Sequence, residues 1–344
     1  MGALTTNQIS KGLTTDHIVA LTTAQVQALT TDQVVALTTD QVAAVVTKDV
    51  AALKTNQVAA LSTNQISKGL TTDQIAALTT AGVAAMTTDQ ISKGLTTDQI
   101  VALTSGQVAA MGTAQVAALA TAQVAAMETQ DVAALTTAGV AAMTTNQISK
   151  GLTTDQVVAL TTGQVANMTT DQIVALTTDQ IGALVTKDIA ALKTAQVAAL
   201  STNQISKGMS TDEIAALSTA GVAALTTNQI SKGFTTDQVV ALTTSQIQAL
   251  TTDQAVALTT DQVAALETRD IAAFKTNQIA ALTTNQISKG FTTSQVAALT
   301  TANIAALTTD QIVALSTDQV VALSTAQIAA LKTSQVAALS TNQI

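Results

Sequence analysis

The chain has 344 residues, 47% of them hydrophobic and only 10% charged, with a formal net charge of −8 and no Cys, Pro, Trp or Tyr. That balance is too apolar for a disordered chain, and its acidity argues against nucleic-acid or anionic-membrane binding, which need basic patches. Without Cys there are no disulfides, thiol nucleophiles or thiolate metal sites. Apolar runs stop at about five residues (Val42 to Val46), far short of the roughly twenty that span a bilayer.

From Leu4 to Ile344 the chain restates one eight-residue phrase, seen in Leu37-Thr38-Thr39-Asp40-Gln41-Val42-Ala43-Ala44. Numbered one to eight, place one is Leu, or Met (Met86, Met111, Met127, Met143) or Phe (Phe234, Phe274, Phe291) read as core variants of Leu. Place two drifts, place three is almost always Thr, place five is usually Gln and place six Val or Ile. Such a short fixed period marks an array whose units bury their apolar faces on one another. A continuous helix cannot use it, because at about 3.6 residues per turn equivalent residues rotate by roughly 80° per unit and no seam forms. Strand alternation is absent, and Ala and Gln favour helix. The expected fold is therefore an all-α solenoid of very short helices, one per repeat, forming a single continuous array over residues 1–344. A β-solenoid is the alternative, since Thr, Val and Ile also suit strands.

Two caps compete within each unit. If place two caps, Gln at place five is the third helical residue of a capping box, and places one and six form a hydrophobic staple. Place two nevertheless holds Val46, Lys54, Ala120 and Glu128, none a good cap, while place three stays Thr. Place three is therefore the expected cap. Gln at place five is expected to bond orphan carbonyls of a neighbouring helix as a ladder, with Gly82, Gly139 and Gly221 as gaps or close approaches.

Seven units carry an extra residue in the run Ile-Ser-Lys-Gly, starting at Ile9, Ile66, Ile91, Ile148, Ile205, Ile230 and Ile287. The pattern of spacings recurs every 139 residues (Ile9 to Ile148), giving super-repeats 9–147 and 148–286 and a partial one, 287–344. Gly is expected to close each short helix in a left-handed conformation, with Lys at the negative end. If these units align, about 3.4 units make one turn of the solenoid. The pairs Lys11 and Gly12, Lys68 and Gly69, Lys93 and Gly94, Lys150 and Gly151, Lys207 and Gly208, Lys232 and Gly233, and Lys289 and Gly290 are then candidate corners for assembly. A correction of coil twist is the competing reading.

Asp49, Asp131, Asp188 and Asp270 replace Gln, 37 residues after Gly12, Gly94, Gly151 and Gly233. Lys48, Lys187 and Arg269 precede three of them, and Lys54, Lys193 and Lys275 follow the same three, which suggests charge complementarity between coils. These carboxylates are too sparse for a calcium cage. His17, the one His, stands at a Gln place. No nucleophile elbow, phosphate loop or zinc helix occurs, so neither an enzyme nor a cofactor is expected.

The phrase Leu37 to Ala44 resembles octapeptide tracts of very large bacterial secreted or cell-surface proteins, adhesin-like or linked to haem utilisation, and the resemblance covers essentially the whole chain. It implies an extracellular or cell-surface structural role and transfers no functional residue. Met1-Gly2-Ala3 runs straight into the repeat without a leader, and both ends fall in one phase of the super-repeat. A segment of a longer array, or subunits stacking end to end, would explain this. The expected function is thus a self-associating building block of an extracellular filament, sheath or adhesin stalk. Two alternatives are an ice- or mineral-binding solenoid using rows of Thr, and a designed or consensus array.

Overall fold

A computed structural model describes all 344 residues. It contains thirty-four α-helical turns of four to six residues and seven π-helical turns of five, with no strand. The all-α reading, one short helix per repeat, holds and the β-solenoid does not. The chain falls into two compact blocks, Met1–Leu176 and Thr177–Ile344; each is built from the same unit.

The unit begins with an extended residue at place two, such as Thr30 at φ −76° and ψ 164°, followed by the helix Thr31–Ala36. The Thr30 hydroxyl accepts from the Gln33 N–H (3.3 Å), and Gln33 Oε1 accepts from the Thr30 N–H (2.9 Å). Both halves of a capping box are present. The cap is therefore place two, not place three as the constancy of Thr there suggested. The physical reason lies in the second half of the box. Gln reaches back to a main-chain N–H, which every residue at place two supplies: Lys54, Gly112 and Ala120 donate to Gln57, Gln115 and Gln123 at 2.7–2.8 Å without any capping side chain.

A helix this short is not stable alone, so coil-on-coil contact holds it. Place six is almost wholly enclosed (Val34 1%, Ile75 0%, Val263 1% exposed) and place one nearly so, Met111 and Phe274 included. Place seven points outward, where Val35 and Val158 are exposed. The core is thus a thin column of two side chains per unit.

Each of the nine-residue units forms a π-helical turn: Gln8–Gly12, Gln65–Gly69, Gln90–Gly94, Gln147–Gly151, Gln204–Gly208, Gln229–Gly233 and Gln286–Gly290. The bond that defines them runs five residues back, as from Leu70 N–H to the Gln65 carbonyl (3.0 Å). The extra residue is absorbed as a wider turn. No residue has a positive φ, so the expectation of left-handed Gly closures fails. Gly is required by contact instead. A Cβ on Gly69 would lie 3.0 Å from Val42 Cβ, and one on Gly208 3.0 Å from the Thr178 carbonyl oxygen.

Candidate functional site

The feature repeated throughout both blocks is the rung made by Gln at place five. Gln57 is buried (0% exposed). Its Nε2 donates to the carbonyl oxygens of Val26 and Leu29, both at 2.9 Å, while its Oε1 takes the Lys54 N–H. One amide thereby answers a helix start on its own coil and a helix end on the coil below. The same arrangement joins Gln156 to Val124 and Met127 in the first block, and Gln246 to Ile214 and Leu217 in the second. Each rung spans the junction between the units four and three places back, so a coil closes between three and four units. The expected ladder is present, with a pitch that fits the alignment of the longer units.

Where Gln is replaced, the rung changes character. Asp49 and Asp131 are buried, and each accepts a 2.6 Å bond from a hydroxyl three units earlier, Thr23 and Ser105 respectively. For these two the join between coils is hydroxyl to carboxylate, and at Asp49 it stands in place of the charge pair expected from its flanking Lys. The Asp270 carboxyl is fully enclosed, with the Arg269 guanidinium of its own helix 3.7 Å away. Burial pushes both Asp131 and Asp270 above the usual carboxylate range. It outweighs the lowering by the Ser105 hydroxyl in one and by Arg269 in the other. His17 takes the Gln place as half a capping box, its Nδ1 accepting from the Thr14 N–H at 3.2 Å. Gly82 leaves its rung empty, and its N–H is held by the Thr79 hydroxyl at 3.0 Å.

The seven candidate corners divide between two roles. Lys11, Lys68, Lys93, Lys150, Lys207, Lys232 and Lys289 are all exposed. Gly69, Gly94, Gly151, Gly233 and Gly290 are buried, Gly208 is half-buried and Gly12 is exposed. Two of the turns touch a second one: Gln65–Gly69 packs on Gln90–Gly94, and Gln204–Gly208 on Gln229–Gly233. Lys93 pairs with Asp89 at 2.9 Å. No group of three or more His, Asp or Glu lies close enough to hold a metal ion. An apolar hollow inside the first coils, lined by Ile18, Val26, Val34, Val42, Val50 and Leu61 among others, is walled by aliphatic side chains alone and offers nothing to orient a polar ligand.

Residues Ala20 to Gln25 read Ala-Leu-Thr-Thr-Ala-Gln, the stretch from one helix end through cap Thr22 to rung Gln25. A family model described as the ALTTAQ repeat matches residues 12–47, 46–80, 70–105, 94–127, 124–162, 157–186, 183–218, 233–268, 263–301, 290–325 and 317–344. The chain belongs to the ALTTAQ repeat family. In ALTTAQ repeats as they stand here, the letters Leu and Gln are the core contact and the rung. No curated protein matches the chain. Among solved structures, the leucine-rich repeat-containing protein LegL7 from Legionella pneumophila is similar at 8% identity. The match covers 69% of this chain and 79% of that one with a TM-score of 0.17, too low for its fold or role to carry over. No helix of this ALTTAQ array is long and apolar enough to cross a membrane.

Sequence reasoning found Gln at place five, the Gly gaps and the acid substitutions at Asp. It passed over Glu213, which stands at a Gln place and differs from Gln by one atom.

Proposed function

We propose that this ALTTAQ array is a non-catalytic structural protein, a building block of an extracellular filament, sheath or adhesin stalk that associates with further copies of itself. The observation that carries the reading is the rung. The polar side chain that recurs in the interior, Gln at place five, is spent on main-chain bonds between coils, as at Gln57, and not on a surface or cleft. The outward places hold small or short side chains, chiefly Ala, Val, Thr and Asp, which suits a uniform surface and no concentrated chemistry. Placement outside the cell rests on the resemblance to octapeptide tracts of large secreted proteins.

The exposed Lys of the π turns make up seven of the fourteen basic residues, on a chain of net charge −8. They are the candidates for contact with the acidic first turns of a second copy. An ice- or mineral-binding role through Thr rows is less well supported, because hydroxyls at place two are engaged as caps, as at Thr30. Sedimentation velocity and electron microscopy over a range of protein and salt concentrations test the proposal. Assemblies that grow with protein concentration and shrink with salt are expected. A single monomeric species at every concentration overturns self-association.

A further inference from the structure

Glu213 occupies the rung position of the unit capped by Ser210 and matches Gln atom for atom in reach. Its Oε2 does what Gln Oε1 does elsewhere, accepting from the Ser210 N–H at 2.6 Å. Its Oε1 is buried without a hydrogen-bond partner, and the residue as a whole is 4% exposed. In every complete rung that second position belongs to an Nε2 donating downward. By the repeat, the oxygens it faces here are the carbonyls of Ile181 and Leu184, 32 and 29 residues earlier. At the same separations Gln246 Nε2 lies 2.9 Å from the Ile214 oxygen and 2.7 Å from that of Leu217. A carboxylate there sets three oxygens against one another with no hydrogen between them, an uncompensated buried charge. A carboxylic acid has the missing donor.

We propose that Glu213 enters the ladder as the neutral acid, its hydroxyl donating to the coil below, and that this rung is a proton-binding joint which loosens when the carboxyl ionises. No cation is bonded to it. On its own helix Asp212 is the neighbouring charge. The helices packed against it, Thr186–Ala190 and Thr236–Val240, bring Lys187, Asp188 and Asp237, and Thr178–Gly182 brings Asp179. Burial raises the Glu213 carboxyl above its ordinary range, and Asp212 adds to this. The Ser210 N–H and hydroxyl act in the opposite direction and are outweighed.

The sign follows from linkage. A folded chain that holds this proton more tightly than the unfolded chain gains most below the unfolded carboxyl range. It loses that stability as pH rises toward the folded value, and is level above it. The chain has three Glu, namely Glu128, Glu213 and Glu267, so protein carrying 13Cδ-labelled glutamate gives three carboxyl signals. The signal that vanishes in Glu213→Gln is expected to titrate above the ordinary value of about 4.3. Titration at or below that value overturns the proposal. In parallel, Glu213→Gln is expected to unfold at a higher temperature than the parent at pH 8, with the gap closing toward pH 4. A midpoint at pH 8 equal to or below the parent's means the carboxylate is not a liability, and the proposal fails.

Discussion

Two successive turns, Gln65–Gly69 and Thr72–Ala77, share a rung and differ by one residue in their units. Gln65 donates to Val34 and Leu37, both at 2.8 Å, and Gln74 to Val42 (3.1 Å) and Val45 (2.5 Å). Each takes its own cap N–H, Ser62 or Thr71, at 2.8 Å. The units part company only afterwards. The shorter closes with a three-residue bond from Leu78 to Ile75, the longer with a five-residue bond from Leu70 to Gln65. The entry of each unit is thus pinned by the rung, and a change in length is taken up at the exit, where the turn widens and Gly69 slips against the coil below. Stacking is indifferent to unit length so long as the rung is kept.

The largest effect should come from removing a rung. Gln74→Leu leaves the Thr71 N–H and the Val45 carbonyl without their partner, at about 1–3 kcal/mol for each buried group, while the Val42 carbonyl keeps its bond from the Val45 N–H. Hydrogen exchange at the Thr71 amide should accelerate and the denaturation midpoint fall, and Gln65→Leu should do the same to Ser62. If only one of the two weakens its coil, the rungs are not equivalent. Next is the exit. Gly69→Ala brings a Cβ to 3.0 Å from Val42 Cβ and 3.1 Å from the Thr39 oxygen, an overpacking worth about 1–3 kcal/mol. Gly12→Ala meets nothing nearer than Gln8 Cβ at 3.9 Å and should leave the midpoint unchanged. Equal losses at both sites would mean that Gly serves the turn's own backbone. The smallest effect belongs to the cap: Thr71→Ala should cost about 0.5–2 kcal/mol. Lys54→Ala, which removes no capping bond, should be silent by the same denaturation measurement.

The period of eight made the solenoid legible, because no continuous helix or alternating strand can use it, and buried Val34 and Leu61 lie where that reading put them. The rung was legible too, since a polar side chain held constant beside an apolar one needs a constant partner. Cap and exit were not. Variation at Lys54 and Ala120 looked like evidence against a cap at place two, yet half of the box is made to their main chain, which leaves no mark on residue type. Gly69 read as a left-handed closure because Gly at a helix end usually is one. What it avoids is Val42, 27 residues earlier and beyond the view of local pattern. Glu213 was hidden by similarity of another kind: Gln to Glu alters neither size nor period, only whether a hydrogen is there to give.

Within each block the Gln rungs reach back 28 to 33 residues, so a unit finds its partners in chain that has already been made. Segments emerging from a ribosome could therefore add to a growing column in order, without waiting for anything downstream. Contacts of such short range favour fast folding, and a polypeptide of this kind can be extended during evolution by copying units without inventing a new way to fold.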